Sequence, residues 1–447
     1  MNYFNNLNYI YQILISILIF YIIFTILPFF LNINKKKIAI VGGGIAGLSA
    51  GYMLSKKYHC TIFEASDRLG GVARTINGID TGIIYMKSTH MYPYLTRFLK
   101  HFNIKTKPLP ITLAVANLQG YKDWVSNDMN NWNHDIYEEF IKFDQLMKYN
   151  KSNTDISIKS FCEIHGFSSY FKNYIIPSLL GMILHTNTLS THMFKTLYPS
   201  LPIFDIPNWK LPINGTQSYI NKFAKSIQQI YLNSPVKTIK RNEKKIVINT
   251  PHQQEEFDYL ILATPMKINN KILNDKTKDE QDLFNKYSYN EVTVVTHTDE
   301  NLITNTLTNT NSYSYIYCDQ DTNINTISPN FKSTNLKPKP PYVSVSLSHN
   351  IPIKKKHVID KKIYLHPDFD TIDKHGGYEY RMHILNKIQG KNNTFYCGQD
   401  TVNEFWHELV LQSGLYVANM LGVPPPFKSE GYSLFLPFHN IIGSDFQ

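Results

Sequence analysis

The chain has 447 residues, 43% of them hydrophobic, and a formal charge of +10. That length exceeds one simple core and predicts two domains, or one domain with a large insertion. Apart from Lys35, Lys36 and Lys37 the basic excess is dispersed, with no dense basic block or arginine-rich helix, which argues against a nucleic-acid partner.

The four cysteines (Cys60, Cys162, Cys318, Cys397) are widely spaced and form no C-x-x-C pair. Neither a metal site nor a disulfide framework is expected, which fits a reducing compartment. Arginine occurs only at 68, 74, 97, 241 and 381, so each position carries information.

From Ile10 to Leu31 the chain runs 22 residues without a charge. At 1.5 Å per residue this spans roughly 30 Å, the hydrocarbon thickness of a bilayer. The start lacks the basic residues of a cleavable signal peptide, and bulky residues persist to the end, so an uncleaved single-pass anchor is expected. The three lysines that follow place the remainder of the chain in the cytosol. A formal sequon, Asn214-Gly215-Thr216, would then go unused.

Next comes "KKIAIVGGGIAGLSAGYMLSKKYHCTIFEASDRLGGVART", read as strand, tight turn, helix, strand. Gly42, Gly44 and Gly47 satisfy G-x-G-x-x-G at the opening of the helix, with Ala46 inside the motif. The first glycine makes the turn, the second admits a pyrophosphate, and the third packs helix on strand. Glu64 ends the second strand, 22 residues after Gly42, where a carboxylate accepts hydrogen bonds from ribose hydroxyls. Arg68, Gly70, Gly71 and Arg74 follow at once, with Ala65 between. An ordinary nicotinamide site needs no second phosphate-handling loop here, whereas a longer dinucleotide such as FAD does.

At "DRLGGVART" the chain resembles the flavin-containing amine oxidoreductase superfamily, which carries D-R-x-G-G-R-x-x-T at this point. Val72 stands where arginine is usual, and Arg74 is the candidate to compensate. The likeness runs from about residue 37 to 422 and is nearest to a bacterial-type NAD/FAD-binding amine oxidase-like subgroup. "GIDTGIIYMKSTHMYPYL" resembles the family's D-x-G strand. In "LNSPVKTIKRN" Val236 matches the position that holds adenine through its backbone. "NTFYCGQDTVNEFWHELV" places Gly398 and Asp400 where the family meets the ribityl chain and pyrophosphate. Trp406 and His407 match the helix start whose amides face the flavin O2 edge. "WHELV" departs from the subgroup's "FHEDG", losing its Asp-Gly pair.

The implied fold is α/β. A discontinuous Rossmann-type FAD-binding domain (35–110, 210–266 and 388–423) is joined to an α+β substrate domain (111–209 and 267–387). A transmembrane helix within 1–34 precedes them and a tail, 424–447, follows. In the substrate part, "DIYEEFIKFDQLMKYN" is amphipathic at helical spacing, "NEVTVVTHTD" and "PYVSVSLSHN" read as strands, and the Asn/Thr-rich stretch between them reads as loop.

The resemblance implies non-covalent FAD, since no cysteine lies in "DTVNEFWHELV". It also implies hydride transfer to flavin N5 from a small, hydrophobic or lipid-related molecule. Neither substrate strand offers the mid-strand lysine that many amine oxidases place near N5. Lys87, His407 and Glu408 are the catalytic candidates. His297 and His349, at strand ends, read more readily as structural histidines. Two alternatives stand: a non-redox flavin isomerase of the UDP-galactopyranose mutase type, and a non-catalytic flavoprotein partner at a membrane. The first needs arginines to clamp a nucleotide-sugar pyrophosphate, and only Arg97, Arg241 and Arg381 lie outside the cofactor motif.

Overall fold

The computed structural model describes residues 2–22, 35–82, 92–108, 113–116, 124–125, 132–149, 156–179, 191, 210–242, 244–300, 314–319, 322–327, 341–346, 353–368, 377–402 and 407–427. In chain order the elements used below are α1 (Asn2–Tyr21), β1 (Lys37–Val41), α2 (Ile45–Leu54), β2 (His59–Phe63), the hairpin β3 (Thr75–Ile76) and β4 (Ile79–Asp80), and α3 (Pro93–His101). Then come β5 (Leu113–Ala116), β6 (Trp124–Val125), α4 (His134–Tyr149), α5 (Gln217–Ala224), β7 (Gln229–Tyr231), β8 (Thr238–Arg241), β9 (Ile246–Asn249), β10 (Gln254–Phe257) and β11 (Tyr259–Leu262). The last are α6 (Met266–Ile272), α7 (Lys278–Asn285), β12 (Tyr289–His297), β13 (Ser314–Asp319), β14 (Thr322–Ile327), β15 (Tyr342–Ser346), β16 (Val358–Pro367), α8 (Gly377–Ile388), β17 (Thr394–Tyr396) and α9 (His407–Met420).

The N-terminal expectation is corrected. Among the described residues no helix is long and apolar enough to cross a membrane. α1 begins at Asn2 and includes Asn5, Asn6 and Asn8, so its apolar part starts only at Ile10 and within the described residues runs to Tyr21. The twelve described residues from Ile10 to Tyr21 reach roughly 18 Å, short of a bilayer core of about 30 Å. Residues 23–34 of the expected span lie outside the described residues. The single-pass placement falls, and the cytosolic assignment drawn from the three lysines falls with it.

A five-stranded parallel sheet, in the order β17-β11-β1-β2-β7, organises the cofactor side. Its central strand, β1, buries Ile38, Ala39, Ile40 and Val41, as a strand covered on both faces must. Three distant stretches of sequence thus share one sheet, with β11 and β2 flanking β1. α2 and α9 pack together so closely that a Cβ on Gly414 would lie 2.2 Å from the Ala46 carbonyl oxygen. Ser49 Oγ also donates to the Leu411 carbonyl at 2.9 Å.

The other large sheet has seven strands in the order β16-β12-β15-β14-β13-β5-β6. The Asn/Thr-rich stretch expected as loop supplies two of them, β13 and β14, which pair antiparallel from Ser314↔Ile327 to Asp319↔Thr322. Alternating Tyr, Ile and Thr favour the extended chain, and a composition-based reading underweights that alternation. α4 forms as its periodicity predicts, burying Ile136, Phe140, Phe143 and Met147 on one stripe. The tail beyond 427 lies outside the described residues.

Candidate cofactor site

The glycine loop is built for close approach. Gly42 has φ +106°, and a Cβ there would sit 2.6 Å from the Ala263 carbonyl oxygen. A Cβ on Gly47 would lie 2.1 Å from the Gly42 carbonyl oxygen, so α2 can rest on β1 only through glycine. Gly44 differs: nothing lies within 4 Å of the position its Cβ would take. It is the N-cap of α2, extended at φ −72° and ψ 178°, and no side chain caps the helix. An uncapped helix N-terminus facing open space is a ready anion site. The second glycine pair closes over it: Gly70 N donates to the Gly43 carbonyl at 2.8 Å, and Gly71 packs above Gly44.

Glu64 joins this loop to the turn after β2. Its Oε2 accepts from Gly43 N at 2.7 Å, and Oε1 accepts from Ser66 N at 2.8 Å and from Ser66 Oγ at 2.7 Å. Ala65 beside it is exposed. Arg68 turns inward, donating to the carbonyls of Leu69 (3.1 Å), Ala73 (3.0 Å) and Gly71 (2.5 Å), so it shapes the double-glycine loop. Burial lowers its pKa. Val72 is half-exposed. Arg74 makes a bidentate pair with Asp360 of β16, at 2.5 and 3.1 Å, tying the loop to the edge strand of the seven-stranded sheet. Val236, half-buried, packs against the cluster around Phe257.

Asp80, the acid of the D-T-G strand, is a buried hub. Its Oδ1 accepts from Thr75 Oγ1 (2.5 Å), Thr216 N (2.8 Å) and Thr216 Oγ1 (3.0 Å). The D-T-G strand is thereby locked to the Asn-Gly-Thr turn that opens α5, and Thr216 of the sequon is committed inward. The D-x-G pattern was the signal available for it.

At the C-terminal segment Gly398 N donates to Ser413 Oγ at 2.9 Å. Asp400 is buried, and its Oδ2 accepts from Met266 N at 2.7 Å and from the Tyr289 hydroxyl. Its Oδ1 is sealed without a partner. Burial raises this carboxyl to about 6.

His407 and Glu408 open α9. Glu408 is fully buried and accepts from Tyr94 N (2.8 Å), Leu95 N (2.9 Å) and Gln412 Nε2 (2.9 Å). Both oxygens therefore serve the first turn of α3, an intersegment helix cap, and burial raises the group to about 7. The His407 ring pairs with the Tyr219 hydroxyl at 2.8 Å, and burial lowers its pKa to about 4. Trp406, Lys87 and His349 lie outside the described residues. His297 is spoken for: Nε2 meets Ser344 Oγ at 2.8 Å and Nδ1 accepts from Asp299 N at 3.1 Å. No cluster of metal-ligating side chains occurs among the described residues.

Residues 45–334 match the model of the flavin containing amine oxidoreductase family. The L-amino-acid oxidase of Trimeresurus stejnegeri is 22% identical over 271 residues, covering 54% of this chain and 52% of that protein. The enzyme of the same name from Crotalus adamanteus is 37% identical over 75 residues, 16% of this chain and 14% of that one. The chain thus matches about half or less of the length of these curated relatives. In overall fold it is similar to a CLA-producing fatty acid isomerase from P. acnes, with a TM-score of 0.65 and 17% identity over 87% of this chain and 98% of that one. Together with the glycine cradle, the match over residues 45–334 means that this chain belongs to the flavin containing amine oxidoreductase family, with FAD as its cofactor.

Proposed function

We propose that the chain is an FAD-dependent oxidoreductase acting on a small, apolar, lipid-like substrate. The observation that carries the cofactor half of this reading is the uncapped N-terminus of α2 opening at Gly44 onto space. Gly42, Gly44, Gly47 and the amides of α2 would hold the pyrophosphate, Glu64 a ribose, and Asp400 the polyol. The start of α9 would face the pyrimidine edge of the ring. Bound FAD supplies the hydride acceptor. The protein's part is to orient the substrate, exclude water and stabilise negative charge at a helix N-terminus.

The substrate half rests on the seven-stranded sheet. Val292, Val294, Val343 and Val345 form an apolar face packed with Ile79 and Tyr364, beside the hairpin that carries Asp80. Neither β12 nor β15 contains a lysine. The same face carries Lys362 opposite Val294 and Asp360 opposite Thr296, so what argues against an amine substrate is the missing lysine on β12 and β15 alone.

A second reading, a flavin isomerase without net redox change, is favoured by the fold likeness to a fatty acid isomerase. Its nucleotide-sugar form is opposed by Arg241, whose guanidinium is committed to Glu280 and Asp275. Anaerobic incubation of the purified full chain with a panel of fatty acids, other lipids and amines separates the readings. Bleaching of the flavin by a lipid supports the oxidoreductase. Product formed at no net cost in oxidised flavin supports the isomerase, and a chain that binds no flavin overturns both.

A further inference from the structure

Tyr219 and His407 come from motifs 188 residues apart, yet they form a sealed pair. Tyr219 lies on α5, one turn after Thr216, and is fully buried; His407 is 6% exposed at the start of α9. Among the described residues the Tyr219 hydroxyl has one hydrogen-bonding partner, His407 Nε2, at 2.8 Å. Burial and the nearby charge of Asp80 hold the phenol's pKa well above its ordinary value, so it keeps its proton. A buried hydroxyl with one partner donates to it, because the opposite arrangement would leave its O–H unpaired. Nε2 is then an acceptor, and the proton of the neutral ring sits on Nδ1. Among the described residues Nδ1 has no hydrogen-bonding partner, so its proton is left to offer to a ligand.

We propose that Tyr219 is a positioning residue: by donating to Nε2 it fixes the Nδ1–H tautomer of His407, which offers that N–H to the pyrimidine edge of the flavin. The inference rests on the reading above that the start of α9 lies at that edge. Negative charge gathers at N1 and C2=O when a flavin is reduced, so a fixed donor there favours reduction.

The test is the midpoint potential of the flavin in the FAD-loaded full chain, measured by equilibrium titration against a reference dye. Tyr219→Phe is expected to lower the equilibrium constant for reduction about tenfold, which is about 30 mV for a two-electron couple. His407→Gln lowers it to a similar extent, and the double variant goes no lower. An unchanged potential in Tyr219→Phe overturns the proposal. Should that variant fail to fold or lose FAD, ¹⁵N-histidine NMR of the wild-type chain decides the matter, with His407 assigned by its absence in His407→Gln. An Nδ1–H ring supports the pairing, whereas an Nε2–H or charged ring overturns it. A wild-type chain without flavin overturns the functional reading instead, and the tautomer measurement still judges the pair.

Discussion

Alanine at Gly44 and alanine at Gly47 should have opposite signatures, although both lie in one six-residue motif. At Gly47 the new Cβ falls 2.1 Å from the Gly42 carbonyl oxygen, with Ile40 Cγ2 at 3.2 Å and Ala263 Cβ at 3.3 Å. The obstacle is backbone between β1 and α2, so no rotamer relieves it, and overpacking of this kind costs about 1–3 kcal/mol. At Gly44 the new methyl meets nothing, and φ −72° is ordinary for alanine. The lost entropy of the unfolded chain offsets the poorer N-cap, so stability changes by no more than ~0.5 kcal/mol. The same methyl stands where a pyrophosphate must approach α2. Losing one charge-assisted hydrogen bond costs about 1.5–3 kcal/mol, roughly 10- to 150-fold in FAD affinity. Urea denaturation of the flavin-free proteins and fluorescence titration with FAD separate the two. If Gly44→Ala binds FAD as the wild type does, the cradle assignment is wrong.

Three further outcomes follow from charged groups. Arg241 and Glu280 are 3% and 1% exposed and paired at 2.6 Å; Arg241→Met leaves a buried carboxylate uncompensated and should cost about 3–5 kcal/mol in urea denaturation. Glu408 is raised by burial to about 7 from 4.5, so the folded chain holds that proton more tightly than the unfolded one. Stability should therefore fall as pH rises from about 4.5 to about 7, and comparison with Glu408→Gln should show that share of the slope removed. A double-mutant cycle on Arg74 and Asp360, which are 16% and 21% exposed, should give a coupling of about 1 kcal/mol or less, since partial exposure screens the pair.

What the sequence disclosed was what chemistry fixes locally. The spacing of Gly42, Gly44 and Gly47, the acid at Glu64 and the double glycine at Gly70 each answer to a constraint spanning a few residues. The partners of those motifs answer to the tertiary fold. Arg74 meets Asp360 across 286 positions and Glu408 meets Tyr94 across 314, distances at which no pattern in the chain points from one to the other. Glu408 read as a catalytic candidate because it sits in a flavin-side motif, and its carboxylate turns out to cap α3. The N-terminal run misled for a different reason: a count of uncharged residues does not say where a helix begins and ends, and α1 starts among asparagines.

The most direct test is acid precipitation of the purified, flavin-loaded full chain, followed by identification of the flavin in the supernatant. One FAD released per chain is the expected result. FMN in its place, flavin retained on the precipitated polypeptide, or no flavin at all would contradict the account.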